Sequence, residues 1–152
     1  MSSHTGSTMS ATAVADAFNK ALNAHDAAKI GELLAEDVSY WEANLPAPIK
    51  GRKAVEDHFR ENWKPFPDAS IRSINRIVSG EWVADESAWS ATHKGPIQAP
   101  GQPPIPPTNK RVQANAVAIA HVLGGKVKSL NIYYDNMAVM AQLGLMPGSG
   151  PK

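Results

Sequence analysis

The chain predicts an α+β fold, and three observations carry that expectation. Up to Trp63 the apolar residues recur at helical spacing. Beyond Ser70 the period drops to two, in long runs rich in Ile, Val and Ala. Gly124-Gly125 separates the last two of those runs as a two-residue hairpin turn, which joins antiparallel strands. Helices segregated from an antiparallel sheet define the class.

Ala11 to Ala24 reads as the first helix, with Val14, Phe18, Ala21 and Leu22 on one stripe. Asp26 suits the N-cap of a short second helix, Ala27 to Leu34, whose Ile30, Leu33 and Leu34 are apolar. Val38 to Glu42 reads as a strand that ends at the Pro46 and Pro48 turns. Gly51 to Trp63 is a third helix with Val55, Phe59 and Trp63 aligned, and Pro65 and Pro67 forbid its continuation. Ser70 to Val78 and Val83 to His93 follow as strands about Ser79-Gly80-Glu81. Lys94 to Asn109 holds six prolines and is a loop with stiff extended stretches. Val112 to Leu123 and Lys126 to Asp135 form the last hairpin, and Met137 to Leu143 a helical turn.

At 152 residues the chain suits one domain, 11–147, between a small, polar leader, 1–10, and a short tail, 148–152. A net charge of +1 gives no footprint for nucleic acid or an anionic membrane. The absence of cysteine excludes thiol catalysis, disulfides and thiolate metal sites. No apolar run approaches the roughly 20 residues of a membrane span, and the leader lacks the pattern of a secretory signal, so a cytoplasmic protein is expected. The histidines are scattered, and none has metal-site spacing with a glutamate. Nucleotide-binding glycine loops and a nucleophilic Gly-x-Ser-x-Gly are also missing. Proton-transfer chemistry without metal or cofactor remains.

The candidate site centres on Asp135. With a period of two, Asn131, Tyr133 and Asp135 share one strand face, and Leu130, Ile132 and Tyr134 the other. Asp135 has two roles open to it, cap of the following helical turn or acid/base. A carboxylate in an aromatic-walled pocket has its pKa raised towards working pH. Trp41, Trp63, Trp89, Tyr40 and Tyr133 are available as walls, or as ordinary core. His93 shares a strand face with Val83, Asp85, Ser87, Trp89 and Ala91, and could donate to an enolate oxygen or serve structure. His58, beside Phe59 on the third helix, is a second candidate. Gln113, Asn115, Val117 and Ile119 form a strand face graded from polar to apolar, which suits a pocket with a wet mouth. The opposite face, Ala114, Ala116, Ala118 and Ala120, is small and flat and invites close packing by another sheet or a partner subunit, and a homodimer is expected from it.

Four strings carry a family resemblance: Leu33-Leu34-Ala35-Glu36-Asp37-Val38, Thr92-His93-Lys94-Gly95, Pro106-Pro107-Thr108-Asn109-Lys110-Arg111-Val112, and Asp135 followed by Gln142-Leu143-Gly144. Together they resemble the SnoaL-like polyketide cyclases, within the nuclear-transport-factor-two-like superfamily. Asn109 stands where that family usually has glycine, and Ala91 where glycine is common. The resemblance implies a cone: a curved mixed, largely antiparallel sheet with three N-terminal helices on its concave face. It also implies a cofactor-free cyclase acting on a hydrophobic polyketide-like carbonyl compound, with Asp135 as acid/base. His93 would then polarise the carbonyl, while Asn131 and Tyr133 orient substrate or water. An isomerase, dehydratase or epoxide hydrolase, or a non-catalytic binder of small ligands, is the alternative on the same scaffold.

Overall fold

The structure is a computed structural model that describes residues 9–98 and 101–146. Most of the expected leader and the whole tail, 148–152, lie outside the described residues. The elements run α1 (Ala11–Ala24), α2 (Ala27–Leu33), β1 (Leu34–Glu42), β2 (Ile49–Lys50), α3 (Arg52–Trp63), β3 (Ser70–Ser79), β4 (Trp82–Thr92), β5 (Arg111–Leu123), β6 (Lys126–Tyr134) and α4 (Asn136–Gln142). Six strands form one sheet in the order β2-β1-β6-β5-β4-β3. All neighbours are antiparallel except β1 and β6. The α+β expectation holds, with four helices rather than three. No helix among the described residues is long and apolar enough to cross a membrane.

Local chemistry sets the boundaries. Ser10 Oγ accepts from the Ala13 amide at 3.1 Å and starts α1. Asp26 Oδ1 does the same for Lys29 at 3.0 Å and starts α2. The first helix stops at His25, which takes the left-handed conformation (φ 53°) usually left to glycine. Its ring offsets that strain by stacking on Trp63, centroids 4.6 Å apart, with Nε2 2.9 Å from the Ala69 carbonyl. Leu34, expected to end the second helix, is already extended and opens β1, which therefore starts before Val38. The two-residue β2 has no counterpart in the expected elements, because so short an edge carries no periodicity.

The helices all cover one face of the sheet. Val14, Phe18, Ile30, Val55 and Phe59 meet Val38, Tyr40, Val83, Val122, Val127 and Leu130 in the main core. A second cluster gathers Val139 and Leu143 of α4 with Ala91, Val112, Phe66, Trp89 and Tyr134. One expectation is reversed here. The alanine face of β5 is not an outer surface; Ala116, Ala118 and Ala120 line a cavity beneath α1. The greasier face of each strand turns to the core, so Leu130 and Ile132 point inward and Asn131 and Tyr133 outward. Alanines on the inner face leave α1 the room that larger side chains would take.

Candidate active site

The expected centre of the site is not where the family pattern suggested. Asp135 is exposed, and its Oδ1 accepts from the Ala138 amide at 2.9 Å as the N-cap of α4. Tyr133 (51% exposed) and Val117 (38%) lie on the open face of the sheet. Asn131 shares Tyr133's strand face, and Asn115 shares Val117's. Trp41 is there too, packed against Tyr133 at 5.3 Å, with its indole N–H given to the Leu45 carbonyl at 3.0 Å. Their strand parity is opposite to that of the core-facing residues, so none of the six reaches the interior cavity.

His93 is inward and fully buried, but it serves the proline-rich loop. Its Nδ1 accepts from the Thr108 amide at 3.1 Å, and its backbone pairs with Asn109 and Lys110. That bond places the remaining ring proton on Nε2, which has no partner of good geometry among the described residues. The Gly95 carbonyl is near enough to favour the charged ring slightly, but burial prevails and pushes the pKa of His93 down. Trp89 packs edge-on to Phe66 at 5.4 Å, and Phe66 also packs against the His93 ring. Trp63 braces His25, as described above. These residues are walls and struts.

Two of the expected residues, His58 and Tyr40, do converge, on a residue the sequence reading passed over. Glu42 ends β1, and its side chain, like that of His58, is 13% exposed. Glu42 Oε1 lies 2.5 Å from His58 Nε2, 3.2 Å from the Tyr40 hydroxyl and 3.4 Å from Asn62 Nδ2. Asn62 Nδ2 also lies 2.9 Å from His58 Nε2, so the four side chains form one hydrogen-bonded cluster. Oε2 is freer, with the Tyr134 hydroxyl at 3.4 Å its only partner among the described residues. Burial, and then the Glu42 charge, push the Tyr134 and Tyr40 phenols well above their ordinary value. Both therefore remain O–H donors at any working pH. A signal for Glu42 existed: Val38, Tyr40 and Glu42 alternate on one strand face, so a carboxylate follows two core residues.

A second carboxylate lies in the same cross-strand row. Glu42 pairs in register with Ile132, Ile132 with Ala118, Ala118 with Asp85, and Asp85 with Arg76. Three strand spacings separate the two acids by about 14 Å of backbone. Asp85 is saturated by cationic and neutral donors. It accepts from Arg76 Nη2 at 2.7 Å and Nε at 3.1 Å, Ser73 Oγ at 2.7 Å and Asn19 Nδ2 at 3.3 Å. The guanidinium occupies Oδ2 through two N–H groups and Ser73 takes Oδ1, so neither oxygen is left free for a substrate. Asp85 ties α1 to β3 and β4. Glu42 has neutral donors, a histidine and one nearly free oxygen, which is the pattern of a proton carrier.

Asp85 lines a cavity of about 70 Å³ with Phe18, Ala116, Ala118, Leu130 and Ile132 among others; Glu42 does not line it, but its register partner Ile132 does. A wider, open depression of about 730 Å³ at the start of α3 is lined largely by charged residues such as Lys50, Arg52 and Glu56, away from these groups. Among the described residues no three His, Asp or Glu side chains are arranged to hold a metal ion.

The SnoaL-like polyketide cyclase family profile matches residues 12–143. No curated protein matches the chain by sequence. Among solved structures, a protein from Jannaschia sp. CCS1 assigned as a SnoaL-like polyketide cyclase superposes with TM-score 0.79 at 16% identity, over 90% of this chain and 93% of that one. IdmH from Streptomyces antibioticus, assigned as a polyketide cyclase, gives 0.72 at 22% identity, over 88% and 98%. An LEH-like epoxide hydrolase from M. tuberculosis gives 0.69 at 17% identity, over 88% of each chain. At these identities the structural likeness establishes the fold alone.

Proposed function

The chain belongs to the SnoaL-like polyketide cyclase family, and from that premise we propose a cofactor-independent cyclase acting by acid/base catalysis on a hydrophobic carbonyl compound. The reading differs from the family expectation in its acid/base group, which is Glu42 rather than Asp135. The observation that supports it is the Glu42 carboxylate on the helix-covered face, held by Tyr40, His58 and Asn62 through one oxygen while the other is nearly free.

Glu42 Oε2 takes a proton from the carbon next to a carbonyl. The resulting enolate carbon bonds to a second carbonyl carbon of the same molecule, whose π electrons move to its oxygen. That oxygen recovers the proton, so ring closure leaves the enzyme unchanged. As Glu42 is neutralised, the Tyr134 hydroxyl is released to donate to the enolate oxygen. His58, at 2.5 Å, keeps the carboxylate oriented and shares its proton. A positioned acid/base group of this kind contributes typically about 10²- to 10⁴-fold.

The test is Glu42→Gln, assayed by chromatography for ring closure of 1,5-diketones. Turnover falls by at least about a hundredfold while the fold is kept. Wild-type rates in that variant remove Glu42 from the mechanism. Running the same proteins with an epoxide in heavy-oxygen water separates the hydrolase alternative, which would put label into a diol.

The expected homodimer transfers from the alanine face to the open face of the sheet. No helix among the described residues covers that face, and Trp41, Tyr133 and Val117 lie on it, with Glu86 beside Val117.

A further inference from the structure

We propose that Ser87 anchors an oxygen-recognising subsite at the wall of the interior cavity, and that its occupant is the ketone or alcohol oxygen of an otherwise apolar group. The inference deepens the cyclase reading, because it assumes that the helix-covered face is where the ligand binds.

Ser87 is 3% exposed and lines the cavity between Asp85 on its own strand and Ala116 on the next. Its hydroxyl has no hydrogen-bond partner among the described residues. Ser73, its register partner on β3, differs in giving its hydroxyl to Asp85 at 2.7 Å. Among the described residues only His93 Nε2 is both shut in and unpartnered, so Ser87 Oγ keeps access to the cavity, where it can donate to an entering oxygen. Asn19 adds to the same wall. Its amide nitrogen is used on Asp85, and its oxygen is left over. The remaining lining is apolar, with Phe18, Leu130 and Ile132 around the alanines.

Size and register define the ligand. The cavity, about 70 Å³, is far below the roughly 300 Å³ of sites that enclose a drug-sized molecule. It takes one small oxygen-bearing end. Ser87 pairs with Ala116 and Ala116 with Tyr134, so the Tyr134–Glu42 pair stands two strands away, about 10 Å along the sheet. An oxygen held at Ser87 thus directs the rest of the molecule across the alanine floor towards Glu42.

A matched pair of probes tests this: cyclopentanone against methylenecyclopentane, titrated into the protein and followed by the amide resonances of Ser87 and Ala116. Wild-type protein binds the ketone about tenfold tighter than the hydrocarbon, the effect of one hydrogen bond. Ser87→Ala binds both alike and melts no lower than wild type, because the lost hydroxyl held nothing. Glu42→Gln keeps the preference, so failure of the subsite and failure of the acid/base assignment are told apart. Equal affinities in the wild type overturn the proposal, as does a preference that survives Ser87→Ala. So does a Ser87→Ala protein that melts several degrees lower, or the absence of any shift with either probe, which would leave a cavity holding only water.

Discussion

Replacing Glu42 separates its structural work from its chemistry. In Glu42→Ala the hydroxyl of Tyr40, which is 2% exposed, loses its acceptor at 3.2 Å and has no water to turn to. His58 and Asn62 lose the same oxygen, at 2.5 and 3.4 Å, although their edge of the cluster can be partly rehydrated. A donor left unmade in the interior costs about 1–3 kcal/mol, so the sum is about 3–4 kcal/mol once partial rehydration is allowed. For a domain of this length that lowers the melting temperature by about 10 °C. Glu42→Gln keeps an acceptor oxygen for those three groups and loses only the charge, about 1 kcal/mol, or roughly 3–4 °C. Thermal melts followed by circular dichroism, alongside turnover, give both numbers. Both variants should be inactive, but only the alanine one strongly destabilised. An alanine variant melting within about 3 °C of wild type would refute the claim that Glu42 is the cluster's organising acceptor.

The other predictions concern residues whose placement departs from the family expectation. Asp135→Ala should cost about 1 kcal/mol, the worth of a helix cap, and leave turnover within about twofold; a hundredfold loss of rate would restore Asp135 to the mechanism. The pKa of His93 is pushed down in the folded state, so on acidification the unfolded chain takes up the proton first. The stability it contributes is complete above the unfolded value, about 6.5, and is lost as pH falls from there through the folded value. Melting temperatures measured from pH 7.5 to 5.5 should therefore fall in the wild type and flatten in His93→Gln, and parallel profiles would exclude His93 as the cause. Val117→Lys on the open face should turn a dimer into a monomer by light scattering without changing the far-ultraviolet spectrum; an unchanged mass would move the interface elsewhere.

Most of the architecture was legible in the chain because it depends on short-range rules. The Asp26 cap, the prolines after Trp63 and the Gly124-Gly125 turn fix element boundaries within a few residues of themselves. The inward placement of Leu130 and Ile132 was legible too, since the greasier strand face seeks the core. The resemblance at Asp135 drew the site reading to the open face of the same strand, where that carboxylate is exposed and caps α4. Trp89 and Tyr40 were read as pocket wall or core and His93 as donor or structure; the partners that each makes were not legible.

What the amino-acid sequence determined by itself is therefore the fold class, the family, and a chemistry confined to carboxylates, histidines and phenols. Only the tertiary structure shows which carboxylates lie on the helix-covered face and what surrounds them. The parallel pairing of β1 with β6 and the packing of α3 bring Glu42, His58, Asn62 and Tyr134 together from positions up to 92 residues apart. Pairing over such separations leaves no periodic trace in the chain, because it depends on strand register and helix placement rather than on neighbouring residues.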